Sequence, residues 1–252
     1  MPTIAELFAV GIIAAVPIGY AVWIVHALRR SPYTIDQSFV FFGNVLLTRL
    51  LWRATVPDRL PIAAGLGAVL VANHRSSVDP FFLQLAAGRR VHWMVAAEFD
   101  SNPVVAWLYR YTQVIPTSRS GRDTGATKRA IELASRGGLV GMFPEGRINT
   151  GTKPLLDSRP GAIAVAAKAN VPIVPCHLQG SPYGGTALSP FLMSARVTVR
   201  FGTPIDLKEY GASIDDRQVL AEVTLRVLRE IVRLGGDEVY QPKLAGRGWN
   251  KS

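Results

Sequence analysis

The sequence predicts an α/β domain, a mixed central sheet flanked by helices in three layers, preceded by an N-terminal membrane-associated helical module. Three observations carry this prediction. Short apolar runs at residues 67–72 (GAVLVA), 139–143 and 171–176 (VPIVPC) have the length and branched side chains of buried strands. Amphipathic or small-residue stretches lie between them, at 123–136 (DTGATKRAIELASR) and 160–169, and strands alternating with helices mark a layered α/β domain. Residues 7–25 (LFAVGIIAAVPIGYAVWIV) run without a charge, long enough to cross the hydrocarbon core of a bilayer.

The N-terminal stretch lacks the basic leader and small-residue cleavage site of a signal peptide. Arg29 and Arg30 follow it and place its C-terminal side toward the cytoplasm if it spans. Pro17 and Gly19 interrupt it, so a re-entrant hairpin and a buried core helix stay open as alternatives. Residues 37–52 suit an interfacial helix whose Arg49 and Arg53 reach headgroups. Pro57 and Pro61 mark the boundary, giving a membrane-associated module over 1–60, the α/β domain over 61–240 and a loose polar tail over 241–252.

Within the main domain, residues 91–96 read as a strand, 102–111 as a helix and 112–116 as an extended piece. The helix over 123–136 is stopped by Gly137 and Gly138. The prolines of 171–176 suggest an edge strand or an irregular strand end, and 196–201 (RVTVRF) alternates as a half-buried one. Ser213 can cap a last long helix, whose Val219, Leu220, Val223, Val227, Leu228, Ile231 and Val232 share one broad face and which Gly235 and Gly236 end.

Composition narrows the function. Apolar residues make up 48% of the 252, and a mean hydropathy of +0.20 is high for a soluble chain. A formal charge of +10 points to nucleic acid or to an anionic membrane surface. The arginines form no stripe interleaved with aromatics, which argues against nucleic acid. A single cysteine, Cys176, excludes an intrachain disulfide and a thiolate metal cluster, and the four histidines are too scattered for a local metal signature. The expectation is therefore no metal, no cofactor and a membrane surface as partner.

The chemistry centres on residues 73–79 (NHRSSVD), which leave the first strand and lead into Pro80 and an apolar helix. A neutral imidazole at His74 can take a proton from a substrate hydroxyl if Asp79 holds its other nitrogen as the donor. That pair supplies a base and its orienter, and the nucleophile would be the substrate's own hydroxyl. Asp79 is equally an ordinary helix cap, and His74 a structural histidine. Ser76 and Ser77 are rejected as nucleophiles, because the chain has no G-x-S-x-G elbow. Residues 143–147 (FPEGR) leave a second strand in the same way: Gly146 lets a ligand approach backbone, and Arg147 offers a fork for an anion, with a surface ion pair of Glu145 and Arg147 as the alternative. Arg119 and Arg122 would suit a phosphate if they sit near a pocket, with Lys153 and Arg159 beside them. Cys176, His92 and His177 read as structural.

NHRSSVD resembles the NHxxxxD signature of the glycerolipid acyltransferases, of the bacterial 1-acylglycerol-3-phosphate acyltransferase type. VIPTSR at 114–119, FPEGR at 143–147 and VPIVP at 171–175 follow in that family's order. The resemblance implies a glycerolipid acyltransferase-like fold. It also implies transfer of an acyl group from acyl-CoA or an acyl carrier protein, as co-substrate, to a lysophospholipid hydroxyl, without an acyl-enzyme. By resemblance His74 is the general base and Asp79 its orienter. Asn73, Arg75, Ser76, Arg119, Glu145, Gly146 and Arg147 bind the acceptor, and Pro172 and Pro175 border the acyl-donor pocket. The expected product is phosphatidic acid, made at the cytoplasmic face of the cell inner membrane. The alternatives are the same transfer to another lysolipid, such as a lyso-ornithine lipid, and a noncatalytic lipid-binding protein. The second and third motifs depart from the family pattern at Ser118 and at Arg147, Ile148 and Asn149.

Overall fold

The structure is a computed structural model and describes residues 3, 18, 19, 22, 33–96, 103–117 and 124–246. It divides into two compact units, Met1–Phe42 and Gly43–Ser252. Thr34, in the first, precedes helix α1 (Ile35–Leu46), which runs on into the second; the Thr34 N–H donates to Gln37 Oε1 at 3.1 Å, the reciprocal arm of a capping box. The uncharged stretch 7–25 lies outside the described residues except for Ile18, Gly19 and Val22. No helix among the described residues is long and apolar enough to cross a membrane.

The second unit is built on six strands: β1 (Ala68–Ala72), β2 (Val91–Ala96), β3 (Ile115–Thr117), β4 (Leu139–Met142), β5 (Ile173–Gln179) and β6 (Thr198–Phe201). Their order is β3-β2-β4-β1-β5-β6, parallel throughout except for the antiparallel pair β5 and β6. The mixed sheet is as expected. β1 is paired on both sides and all five of its residues are buried, so burial of Val69, Leu70 and Val71 contributes roughly 1.5–3 kcal/mol each.

Alternation along β1 sorts the core into two faces. Val69 and Val71 meet α4 (Thr124–Ser135), α5 (Gly161–Ala169) and α6 (Arg217–Leu234), while Ala68, Leu70 and Ala72 meet α2 (Asp79–Ala87) and the segment around Trp52. Three layers result. Helix α3 (Pro103–Thr112) joins β2 to β3. The chain moves from β4, on one side of β1, to β5 on its other side, so the loops after β1 and β4 lie together at the sheet's C-terminal edge. Open α/β sheets bind ligands at such a reversal.

Four expectations need correction. The boundary at residue 60 is too late: Trp52 is fully buried, and Thr55 N donates to Val197 O at 2.8 Å, so residues from Gly43 onward belong to the main body. Arg49 and Arg53 accordingly each spend an N–H on a carbonyl, of Ala54 and Ala195. β5 is not an edge strand. Pro175 is tolerated because its ring faces the β6 side between the Ile173 to Ile205 bridge and the ladder that begins at Cys176, where no N–H is required, while its carbonyl accepts from Gly202 N. The cap of α6 is Asp216, whose carboxylate accepts from Gln218 and Val219 N–H; Ser213 lies in the 3-10 stretch before it. The tail is pinned as far as Ala245: Ser158 N donates to Lys243 O, Ala245 N to Ser158 O, and the Tyr240 hydroxyl to Leu155 O at 2.6 Å.

Candidate active site

The loop between β1 and α2 folds around one carboxylate. Asp79, fully buried in the first turn of α2, accepts on Oδ2 from Arg75 N at 2.6 Å and Ser76 N at 2.7 Å. The same oxygen lies 2.9 Å from His74 Nδ1. Oδ2 already accepts from two backbone N–H groups and is an acceptor toward the ring as well, so Nδ1 carries the proton and Nε2 is left as the acceptor. His74 Nε2 makes no hydrogen bond among the described residues, and the side chain is 16% exposed. The five-residue spacing therefore does close as a compact turn.

The loop after β4 grips the histidine's backbone from both ends. Glu145 Oε1 accepts from His74 N at 2.6 Å, and Asn149 N donates to His74 O at 2.8 Å. The other Glu145 oxygen accepts from Leu156 N at 2.8 Å, so both are occupied by backbone. Burial raises the Glu145 carboxyl above its ordinary range, opposed by the N–H groups of Leu156 and His74 and by the charges of His74 and Arg75. The turn that delivers Glu145 is closed by Gly146 N to Phe143 O at 3.1 Å, and Gly146 takes a φ of +66°, which only glycine adopts freely. No atom stands within contact distance of a Cβ at that position, so its carbon faces open space.

Most of the other sequence-derived candidates support the loops. Asn73, buried, exchanges two hydrogen bonds with Leu178, Nδ2 to O at 2.9 Å and N to Oδ1 at 2.8 Å, so its amide acts as one more rung between β1 and β5. Arg75 gives its guanidinium to the carbonyls of Asn149, Gly151 and Lys153. The Ser76 hydroxyl donates to Pro182 O and that of Ser77 to Ala187 O, which leaves neither as a nucleophile. Arg147 is exposed beside Gly146. Arg119 and Arg122 lie outside the described residues. The structure does not bring Pro172 to this site: in the β1 register it lies beyond Ile173, level with the start of β1, whereas His74 follows its end. Pro175 is buried within β5, opposite Val71.

Two residues were missed. Phe143 stacks on the His74 ring at 4.0 Å between centroids and 10° between planes, and Trp93 stacks on Phe143 at 4.9 Å and 14°. Phe143 was quoted within FPEGR, but nothing in a linear sequence shows that β2, β4 and β1 are neighbours. A cleft of about 660 Å³ opens on the α6 side, lined by Asn73, Arg75 and His177 among others, but His74 is not in its lining. His92 and His177 are structural, with Nδ1 on the carbonyls of Gln113 and Ile231, and burial lowers both below the ordinary histidine value. Cys176 is fully buried and burial pushes its thiol up.

These elements occur in a known setting. A family model described as Acyltransferase matches residues 53–179, about half of the chain. The chain belongs to the acyltransferase family. This acyltransferase is 25% identical over 199 residues to the 1-acyl-sn-glycerol-3-phosphate acyltransferase of Bacillus subtilis (strain 168), covering 78% of this chain and 96% of that one. It is 27% identical over 208 residues to the protein of the same name from Streptococcus pneumoniae (strain ATCC BAA-255 / R6), covering 79% and 74%. Its fold is similar to that of the crystal structure of the 1-acyl-sn-glycerophosphate (LPA) acyltransferase PlsC from Thermotoga maritima. There the TM-score is 0.59 at 23% identity, over 90% of this chain and 93% of that one.

Proposed function

We propose that this acyltransferase moves a fatty acyl group from a thioester donor to the free hydroxyl of 1-acylglycerol 3-phosphate, giving phosphatidic acid. The observation that carries the reading is the His74 and Asp79 pair at 2.9 Å, with Nε2 unengaged among the described residues and both nearby serines committed to carbonyls. Nε2 takes the acceptor's proton as its oxygen attacks the thioester carbonyl. The tetrahedral intermediate collapses, the carbon–sulfur bond breaks, and the imidazolium returns the proton to the departing thiolate. No acyl-enzyme forms. The names of the two bacterial relatives support the phosphate-bearing acceptor. For its phosphate we assign Arg119 by its place in VIPTSR, and Arg147 by its exposure beside Gly146.

The test is acyl transfer by the full chain in lipid, with one labelled acyl group supplied on CoA and on acyl carrier protein, and a panel of lysolipids with and without phosphate. Product from 1-acylglycerol 3-phosphate with either donor is expected. Product only from a phosphate-free lysolipid would reassign the acceptor, and absence of product from every pairing would overturn the reading.

We also infer that the enzyme works at an anionic membrane surface, the cytoplasmic face of the inner membrane. The charge of +10 and the uncharged stretch 7–25 support this. So do Leu188 and Leu192, which are 70% and 92% exposed around the 3-10 turn Ser189–Leu192, in a segment the catalytic loop holds through Ser76 and Ser77. The paired change Leu188→Ser and Leu192→Ser is expected to weaken binding to phosphatidylglycerol vesicles, read by sedimentation, by about a hundredfold, since each leucine buried in the lipid contributes roughly 1.5–3 kcal/mol and each 1.4 kcal/mol is about tenfold. Unchanged sedimentation would remove this turn from the contact.

A further inference from the structure

We propose that Trp93, acting through Phe143, is a positioning residue for His74, and that Gly141 exists to make room for it. The inference rests on His74 acting as the base, and it concerns how that ring is held rather than which lipid it serves. Each of three adjacent strands contributes one ring at the same face: Trp93 from β2, Phe143 after β4 and His74 after β1. Neighbouring strands stand about 4.8 Å apart, which matches the separation of stacked rings, so the sheet itself spaces the stack.

The hydrogen bond to Asp79 fixes one edge of the imidazole but leaves it able to twist about that bond. A flat face packed within 10° of parallel removes the twist. Phe143 cannot do this unaided, because it sits where β4 gives way to a turn. Trp93 backs it from within a strand and is itself only 4% exposed. Gly141 pairs with Trp93 in the β2 to β4 register, and a Cβ there would stand 2.5 Å from two carbons of the indole. Any larger residue would push the indole off the strand and out of the stack. Trp93 Nε1 is buried with no hydrogen-bond partner among the described residues. What meets Phe143 is the aromatic face of the indole.

The experiment measures kcat and KM of the full-length enzyme for both substrates in the variants Trp93→Leu, Trp93→Phe, Gly141→Ala, Trp93→Leu with Gly141→Ala, and His74→Ala. Displacement of a catalytic group by an ångström or less costs about ten- to a hundredfold in rate, so Trp93→Leu and Gly141→Ala should each lower kcat about tenfold or more, with KM within about twofold. Trp93→Phe should restore most of kcat, and Gly141→Ala should cost nothing further once Trp93 is leucine. Should Trp93→Leu fail to fold, Gly141→Ala and Trp93→Phe still decide the matter. Unchanged kcat in Gly141→Ala, losses that fall on KM instead, or additive losses in the double variant would overturn the stack while an inactive His74→Ala left the base intact. An active His74→Ala would overturn both.

Discussion

Alanine at position 74 is expected to lower kcat by about 10²-fold or more, the scale of removing general base assistance. The fold should survive, because what Glu145 and Asn149 hold at this residue is its backbone N–H and carbonyl, which alanine retains. The ring itself is partly exposed, so its loss leaves a recess rather than a sealed cavity. Binding of lysolipid should therefore be little changed while turnover collapses, and the two are separable by vesicle or equilibrium binding alongside initial rates. Turnover within about threefold of the parent would remove the imidazole from the chemistry and with it the general-base route. A noncatalytic lipid-binding protein would show binding in both proteins and turnover in neither.

Asp79→Asn is the second large effect, and it separates orientation from folding. Asparagine keeps the shape and can still accept Arg75 and Ser76 N–H on its amide oxygen. His74 Nδ1 meets that same oxygen, so three donors then share an amide oxygen, a weaker acceptor than the carboxyl oxygen it replaces; the tautomer with its proton on Nδ1 is held less firmly and the imidazolium that forms is less stabilised. The expected loss in kcat is about 10²- to 10⁴-fold. Stability should fall much less, by about 0.3–1 kcal/mol for the negative charge lost from the N-terminus of α2. Asp79→Ala is the less informative change, since it strands two backbone N–H groups at about 1–3 kcal/mol each. Rates near those of the parent for Asp79→Asn would show that the carboxylate serves the turn alone.

What was legible in the sequence was what short-range pattern controls. The run AVLVA read as a buried strand and Asp79 with Pro80 as a helix start, so the loop between them was legible, and the pairing of His74 with Asp79 was one of the readings that its spacing left open. Glu145 was readable as important but not for the right reason. Sequence shows a carboxylate beside a glycine, whereas only the pairing of β1 with β4 shows that its two oxygens are taken by His74 N and Leu156 N. The same holds for Asn73, whose partner Leu178 is 105 residues away. Proline misled the reading of β5, because a missing N–H is compatible with an interior strand wherever the neighbouring strand happens to end. The tail misled for a related reason: its polarity hid Leu244, which is buried against the body of the protein.

The loop around His74 is tied down residue by residue, Asn73 to Leu178, His74 to Glu145 and Asn149, Arg75 to the 149–153 loop, Ser76 to Pro182 and Ser77 to Ala187. The conformational entropy of arranging His74, the base under the proposed mechanism, is thus lost once, when the chain folds, and not again at each encounter with substrate. Such a site has little freedom to reshape itself around an ill-fitting lipid. Discrimination among acceptors then falls to the parts that are not knitted into this lattice, and altering the enzyme's taste should be a matter of changing those parts while the loop around His74 is left untouched.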